Sequence, residues 1–400
     1  MKITAVRTLL ISEPLAVPWK MGLGTAHKRD EVLVFVDTDE GITGVGASYH
    51  AHTPHAIKAI IDSKLGPLVI GQSPLQIQAL WEKMFFGTIH LGGGSAQALA
   101  GIDIALWDIL GKVAGQPLYR LLGAGEPATD DNPEGAPRMT AYVGCQTLGI
   151  RDDLGSLIAE AEGYVAQGFK AVKLRGGAGV AQDVRAVREV RAALGPDIDI
   201  MVDANARYSW PEAVKLVKQL EEYDTAWLED PFDFTVAYHR DEIGKLRQLS
   251  TTPIASGGNV HTRFDMRDLV DKGGVDYLTP DVVKSAGISE SMKIAHLASA
   301  NNIIVATHTY NGLTQVANLH YAAAVPAHVR GYVEWDANDV NAFRDELVTP
   351  AVDITDGVIT VPSGPGLGVA IDEEALERLT FIEGPEILGV PRRRSWAPAL

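Results

Sequence analysis

Two acidic residues, Asp203 and Glu229, stand where short apolar runs end, in IDIMVDAN at 198–205 and TAWLEDP at 225–231. A carboxylate at the end of a buried strand is costly unless something there needs it. In a parallel βα repeat the C-terminal ends of successive strands share one face, so the two side chains converge above the sheet. Two hard oxygen donors on rigid strands suit Mg²⁺. Either residue alone reads equally well as an anion capping the next helix. The flanking chain argues for chemistry, because the same place after other apolar runs holds Lys173 and Arg175, Asn205, Gly258 and Asn259, Asp281 and Lys284, His308, and Glu334. Helix caps and barrel ion pairs use these residue types too, but coincidence at seven ordered positions is a poor explanation.

The elements that must position these side chains form a regular alternation. Strands are expected near 139–144, 169–174, 198–203, 225–229, 253–256, 275–279, 303–307 and 331–334, with helices at about 151–167, 181–194, 211–222, 238–249, 264–272, 289–300 and 314–324. Eight strands with seven helices between them favour a closed α/β barrel over an open doubly wound sheet, and no GxGxxG follows the first strand. Residues 1–130 read differently, with strands at 1–12, 31–40 and through Ala47 before helices at 54–63, 75–85 and 96–115. That is an α+β body. Its last helix is apolar on most sides and is expected in a core or an interface. The Gly-, Pro- and acid-rich stretch Gly123 to Arg138 marks a boundary, giving units at 1–130, 138–345 and 346–400. A strand pair in VDITDGVITV is expected to return to the first unit, and RRRSW at 392–396 reads as a solvated or subunit-contact tail.

Four hundred residues exceed one ordinary core, in keeping with a barrel carrying a second body. A net charge of −16 argues against nucleic acid or an anionic membrane surface as partner. The lone Cys145 permits no intrachain disulfide and reads as a plain thiol. No signal sequence opens the chain and no run of about 18 apolar residues follows, so the expected location is the cytoplasm. His50, His52 and His55 invite a metal reading, but Pro54 breaks a regular strand and no Cys or carboxylate lies beside them. They are expected as solvated loop histidines, with His50 kept as a candidate to touch substrate.

The motifs AVKLR (171–175), VDAN (202–205), WLEDP (227–231), PDVVKSAG (280–287), ATH (306–308) and YVEWD (332–336) resemble the mandelate racemase subgroup of the enolase superfamily. The resemblance spans nearly the whole chain. It implies a modified (β/α)₇β TIM-type barrel with an N-terminal α+β capping domain completed by the C-terminal segment. It also implies one Mg²⁺ held by Asp203 and Glu229, Lys173 beside the substrate carboxylate, a His308–Asp281 dyad, and Glu334 donating a hydrogen bond to that carboxylate. By the same likeness Asn205, Lys284 and Trp335 sit beside the substrate, loops around Trp19 and His50 close over it, and the protein forms a homo-oligomer.

The chemistry stands independently of the likeness. Removing a proton from the carbon beside a carboxylate creates an enediolate, which water stabilises badly and fixed positive charge stabilises well. The substrate is then a small-molecule carboxylate, and the resemblance implies a sugar acid. An unperturbed imidazole titrates near 6.5 and can accept a proton near neutrality, with Asp281 fixing the His308 tautomer.

Two departures from the pattern shape the expectation. Where Lys-x-Lys is common, the second lysine is Arg175, a poor base because guanidinium keeps its proton. With His308 as the one good base, dehydration to a 2-keto-3-deoxy acid is favoured over two-base racemisation. The fifth strand reads SGGN, so Gly258 stands where a third carboxylate ligand is usual, and Asn259 is the candidate to supply an amide oxygen instead. Racemisation, epimerisation and lactone cycloisomerisation stay open as alternatives, as does a silent acid-sugar-binding protein.

Overall fold

The computed structural model describes residues 1–21, 24–89, 92–144, 147–232, 237–310 and 312–389. Cys145 and the tail at 392–396 lie outside them. The chain opens with a long antiparallel pair, β1 (Ile3–Met21) and β2 (Gly24–Thr38), and β3 (Thr43–Ser48) joins the other side of β2. Within β2, Val32, Val34 and Val36 enter one core with the helices of this body, while Leu33 enters the core shared with the barrel. Burial on both faces explains the unbroken apolar run VLVFV. β1 continues well past residue 12, where Pro14 and Pro18 interrupt the sequence pattern. It lies at the sheet edge, where a missing N–H is tolerated.

Eight parallel strands follow: β4 (Arg138–Gly144), β5 (Ala171–Arg175), β6 (Asp199–Asp203), β7 (Trp227–Glu229), β8 (Ile254–Ser256), β9 (Tyr277–Leu278), β10 (Ile304–Thr307) and β11 (Arg330–Asp336). Each pairs with the next, and β11 pairs with β4 to close the barrel. The helices between them are Leu154–Ala166, Val180–Leu194, Trp210–Leu220, Ala237–Gln248, Arg263–Asp271, Ile288–Ala300 and Leu313–Ala324. The expected (β/α)₇β order is the observed one.

The helix Gly93–Ala114 is almost wholly buried, but within the chain itself, between the N-terminal sheet and the barrel helix Ile288–Ala300. It docks through Asp103, which accepts from the Ser289 backbone N–H at 2.9 Å and the Ser289 hydroxyl at 2.6 Å. Gly287 is required there: its φ is 90°, and a β-carbon would sit 2.4 Å from Asp103 Oδ2. The last segment divides. Its short hairpin, Ile354–Thr355 with Val358–Thr360, adds to the start of β4 instead of returning to the N-terminal sheet. β5 pairs β4 only at Val143, so the hairpin satisfies backbone groups that β4 would otherwise leave open. The return is made further on, by Ile387–Gly389 pairing with β2.

Candidate active site

Strand alternation builds the site in layers. Tyr142, Ala171, Met201, Trp227, Ala255 and Ala306 pack together inside the barrel. Two residues further along the same strands, the period of two brings Lys173, Asp203, Glu229 and His308 to the mouth. Glu334 stands in the same relation to Tyr332, which packs against that apolar layer. An apolar plug thus supports a charged floor, and the register pairs Arg175 with Asp203 and Asp203 with Glu229 on adjacent strands.

On one side of the mouth the cations lie among carboxylates. Lys173 Nζ, fully buried, donates to Glu229 Oε2 at 2.9 Å and Tyr142 Oη at 3.2 Å, and lies 3.0 Å from Glu334 Oε1. Burial pulls the lysine down, but Glu229 and Glu334 outweigh it and hold the ammonium well above its ordinary range. The two carboxylates thus favour the protonated, cationic form of Lys173. Arg175 pairs with Asp203, reaches Glu334 Oε1 at 3.5 Å, and stacks 5.5 Å from the ring centre of Trp19. Trp19 arrives from the far end of β1, where the Ile150 N–H donates to the Lys20 carbonyl at 3.2 Å and fastens that strand to the barrel. The Asn205 N–H donates to Asp203 Oδ1 at 2.9 Å, in a left-handed conformation (φ 47°) that asparagine tolerates.

On the other side His308 Nδ1 lies 2.8 Å from Asp281 Oδ2, whose partner oxygen accepts the Val283 N–H at 3.0 Å. This fixes the Nδ1–H tautomer and leaves Nε2 as the basic nitrogen. Gly258 packs under the imidazole, and a β-carbon there would meet His308 Cδ2 at 3.1 Å. Lys284 Nζ donates to Asn259 Oδ1 at 2.9 Å and lies over the Tyr49 ring at 4.4 Å. The Asn259 amide oxygen is thus engaged on the His308 side. The two sides meet where the Thr309 N–H donates to Glu334 Oε2 at 3.1 Å.

His50 is buried, and burial lowers its imidazole to about 4 against the opposing pull of Glu386, so it is neutral. The expectation of solvated histidines holds for His55, whose side chain is 61% exposed, and fails for His50 because the C-terminal segment covers it. Trp335 packs in the hydrophobic core on the opposite side of β11 from Glu334, with Arg344 5.8 Å from its ring centre.

Asp203 and Glu229 are the residues that fit a hard divalent cation, being buried carboxylates on paired strand ends. Asp230, which the sequence reading passed over, fits with them. It is buried, its Oδ1 has no hydrogen-bond partner, and burial followed by the nearby Glu229 and Asp203 pushes its carboxyl well above the usual range. Such crowding of negative charge favours a cation. The signal for Asp230 was its place one residue beyond a strand-end carboxylate.

The N-terminal domain model of the mandelate racemase / muconate lactonizing enzyme family matches residues 3–123, and the enolase C-terminal domain-like model matches residues 156–375. A D-galactarolactone cycloisomerase from Agrobacterium fabrum is 34% identical over 94% of this chain and 98% of its own. An arabinonate dehydratase from Saccharolobus solfataricus is 30% identical over 88% of this chain and 91% of its own. Among solved structures, an L-talarate/galactarate dehydratase variant liganded with Mg and L-glucarate superimposes with a TM-score of 0.82 at 26% identity, covering 95% of this chain and 92% of that one. The chain belongs to the mandelate racemase / muconate lactonizing enzyme family of the enolase superfamily.

Proposed function

We propose that this protein is a Mg²⁺-dependent dehydratase of a sugar acid. The observation that carries the reading is the asymmetry of the mouth: one histidine–aspartate dyad faces a fixed lysine and arginine, so a single side can exchange protons. His308 Nε2 takes the proton from the carbon next to the substrate carboxylate. Lys173 and Arg175 place positive charge where the enediolate develops. The imidazolium, steadied by Asp281, then protonates the β-hydroxyl as it leaves, and the enol that remains becomes a 2-keto-3-deoxy acid. Asp203 and Glu229, with Asp230 beside them, would hold Mg²⁺, which when bound supplies Lewis-acid stabilisation of the carboxylate's growing charge. Trp19 covers the substrate from the capping domain.

The similarity to a cycloisomerase over nearly the full length of both chains favours a second reading on the same chemistry. If the departing β-oxygen belongs to the substrate's own ring, the elimination opens the ring and no water is lost. Incubation with a panel of aldonates, aldarates and aldarolactones in D₂O, followed by NMR and mass spectrometry, tests both. Once deuterium taken up from the solvent is allowed for, a keto acid lighter by one water supports the dehydratase, and a keto acid isomeric with the substrate supports cycloisomerisation. Stereoinversion alone, or stabilisation by sugar acids with no turnover at any Mg²⁺ concentration, would overturn both.

A further inference from the structure

We propose that His50, His52 and Glu386 form a second metal site, selective for a zinc-class ion and separate from the Asp203–Glu229 pair. Among the described residues these three are the His, Cys, Asp and Glu group whose ligand atoms gather within 4.8 Å of one another. Glu386 Oε2 lies 2.7 Å from His52 Nδ1 and 3.3 Å from His50 Nδ1. A tetrahedral zinc with bonds of about 2.0–2.1 Å has ligand–ligand edges of roughly 3.3 Å, so the donors already stand near coordinating distance.

The surroundings suit a bound ion. The side chains of His50 and Glu386 are each 1% exposed, and His50 Nε2 is buried with no hydrogen-bond partner. His52 is 39% exposed, which leaves an entry path and a coordination position open to water. Two of the ligands have an outer partner: Tyr310 Oη donates to Glu386 Oε1, and Tyr49 Oη lies 3.1 Å from His52 Nε2, the nitrogen left protonated once Nδ1 binds metal. His50 Nδ1 accepts the His52 backbone N–H at 3.0 Å, and a bound ion would take that lone pair in its place. Two imidazoles and one carboxylate select zinc, cobalt or nickel over magnesium, whereas the all-oxygen set at Asp203 and Glu229 suits magnesium.

The three ligands come from distant parts of the chain. The turn after β3 supplies both histidines, and the segment entering the final strand, Ile387–Gly389, supplies the carboxylate. Through Tyr310 the cluster also touches the segment two residues past His308. An ion here fastens the C-terminal segment to the roof of the mouth.

The test is a Co²⁺ titration of the untagged full chain, read by visible d–d absorption, with Zn²⁺ added in competition. The expected result is one tetrahedral Co²⁺ per chain, bleached by Zn²⁺, with affinity weakened at least about 100-fold in both His52→Ala and Glu386→Gln. His55→Ala and Asp203→Asn are expected to leave the band unchanged. Circular dichroism confirms folding, and the partly exposed His52 makes its variant the safer of the two. Absence of a tetrahedral band in the wild type, its persistence in His52→Ala, or its loss in Asp203→Asn would each overturn the proposal.

Discussion

The two sides of the barrel mouth are built differently. Lys173, Arg175, Asp203 and Glu229 lie within strands β5, β6 and β7, where ladder hydrogen bonds and paired register fix them against one another. His308 and Asp281 stand just beyond the ends of β10 and β9, on backbone that no strand ladder holds. Their positions depend on turns, on the close approach of Gly258, and on the Tyr310–Glu386 contact that reaches into the capping body. The lesson is a division of labour. For the proposed reaction, charge that must stand ready lies on the rigid framework, and the group that would take and return a proton lies where small adjustments are cheap.

Substitutions separate the two sides. Lys173→Met removes the cation that lies between Glu229 and Glu334; kcat is expected to fall by about 10³-fold or more, measured by keto-acid formation. A change confined to KM would deny Lys173 its place opposite the developing charge. Asp281→Asn keeps the shape of the dyad but no longer enforces the Nδ1–H tautomer, and kcat is expected to fall by about 10²-fold with KM little altered. Gly258→Ala brings a methyl against the His308 ring, and a loss of several-fold to tenfold in kcat is expected, with α-proton exchange slowed in step. If activity rose instead, the imidazole would have room the geometry denies it.

The smallest effect lies away from the mouth, at the joint between the two bodies. Burial pushes the Asp103 carboxyl up to about 7, against the Ser289 hydrogen bonds that pull it down. Because this is above its unfolded value, the folded protein holds the proton more tightly. That contribution is complete below about pH 4 and is lost as pH rises through about 7. Asp103→Asn, which keeps an acceptor for Ser289, is therefore expected to melt at a temperature that gains on the wild type between pH 5 and pH 8. The difference amounts to a few kcal/mol at most, from ~1.4 kcal/mol per pH unit. A constant offset across that range would show that Asp103 does not titrate with folding.

Much of this was legible in the sequence because the barrel repeats one short unit, and strand-end residues can be read off each repeat without knowing any distant contact. The places of Lys173, Asp203, Glu229, His308 and Glu334 at or just past strand ends were read that way. What escaped depends on chain segments far apart. Nothing local to Glu386 ties it to His52, 334 residues away, and nothing local to His50 shows that a C-terminal segment covers it. Asp230 was hidden for the opposite reason, since its neighbour Glu229 accounts for the motif. The 354–360 hairpin was misplaced because strand pattern reports a wish to pair and not the partner.

The central claim is that one base, His308, does the proton work. The most direct measurement follows the substrate α-proton by ¹H NMR in D₂O, with wild type and His308→Asn side by side on a sugar acid that the wild type turns over. The account predicts loss of the α-proton signal with keto-acid formation in the wild type, and neither in the variant. Substantial α-proton exchange in His308→Asn would contradict it and would mean that a group on the Lys173 side gives up and takes protons after all.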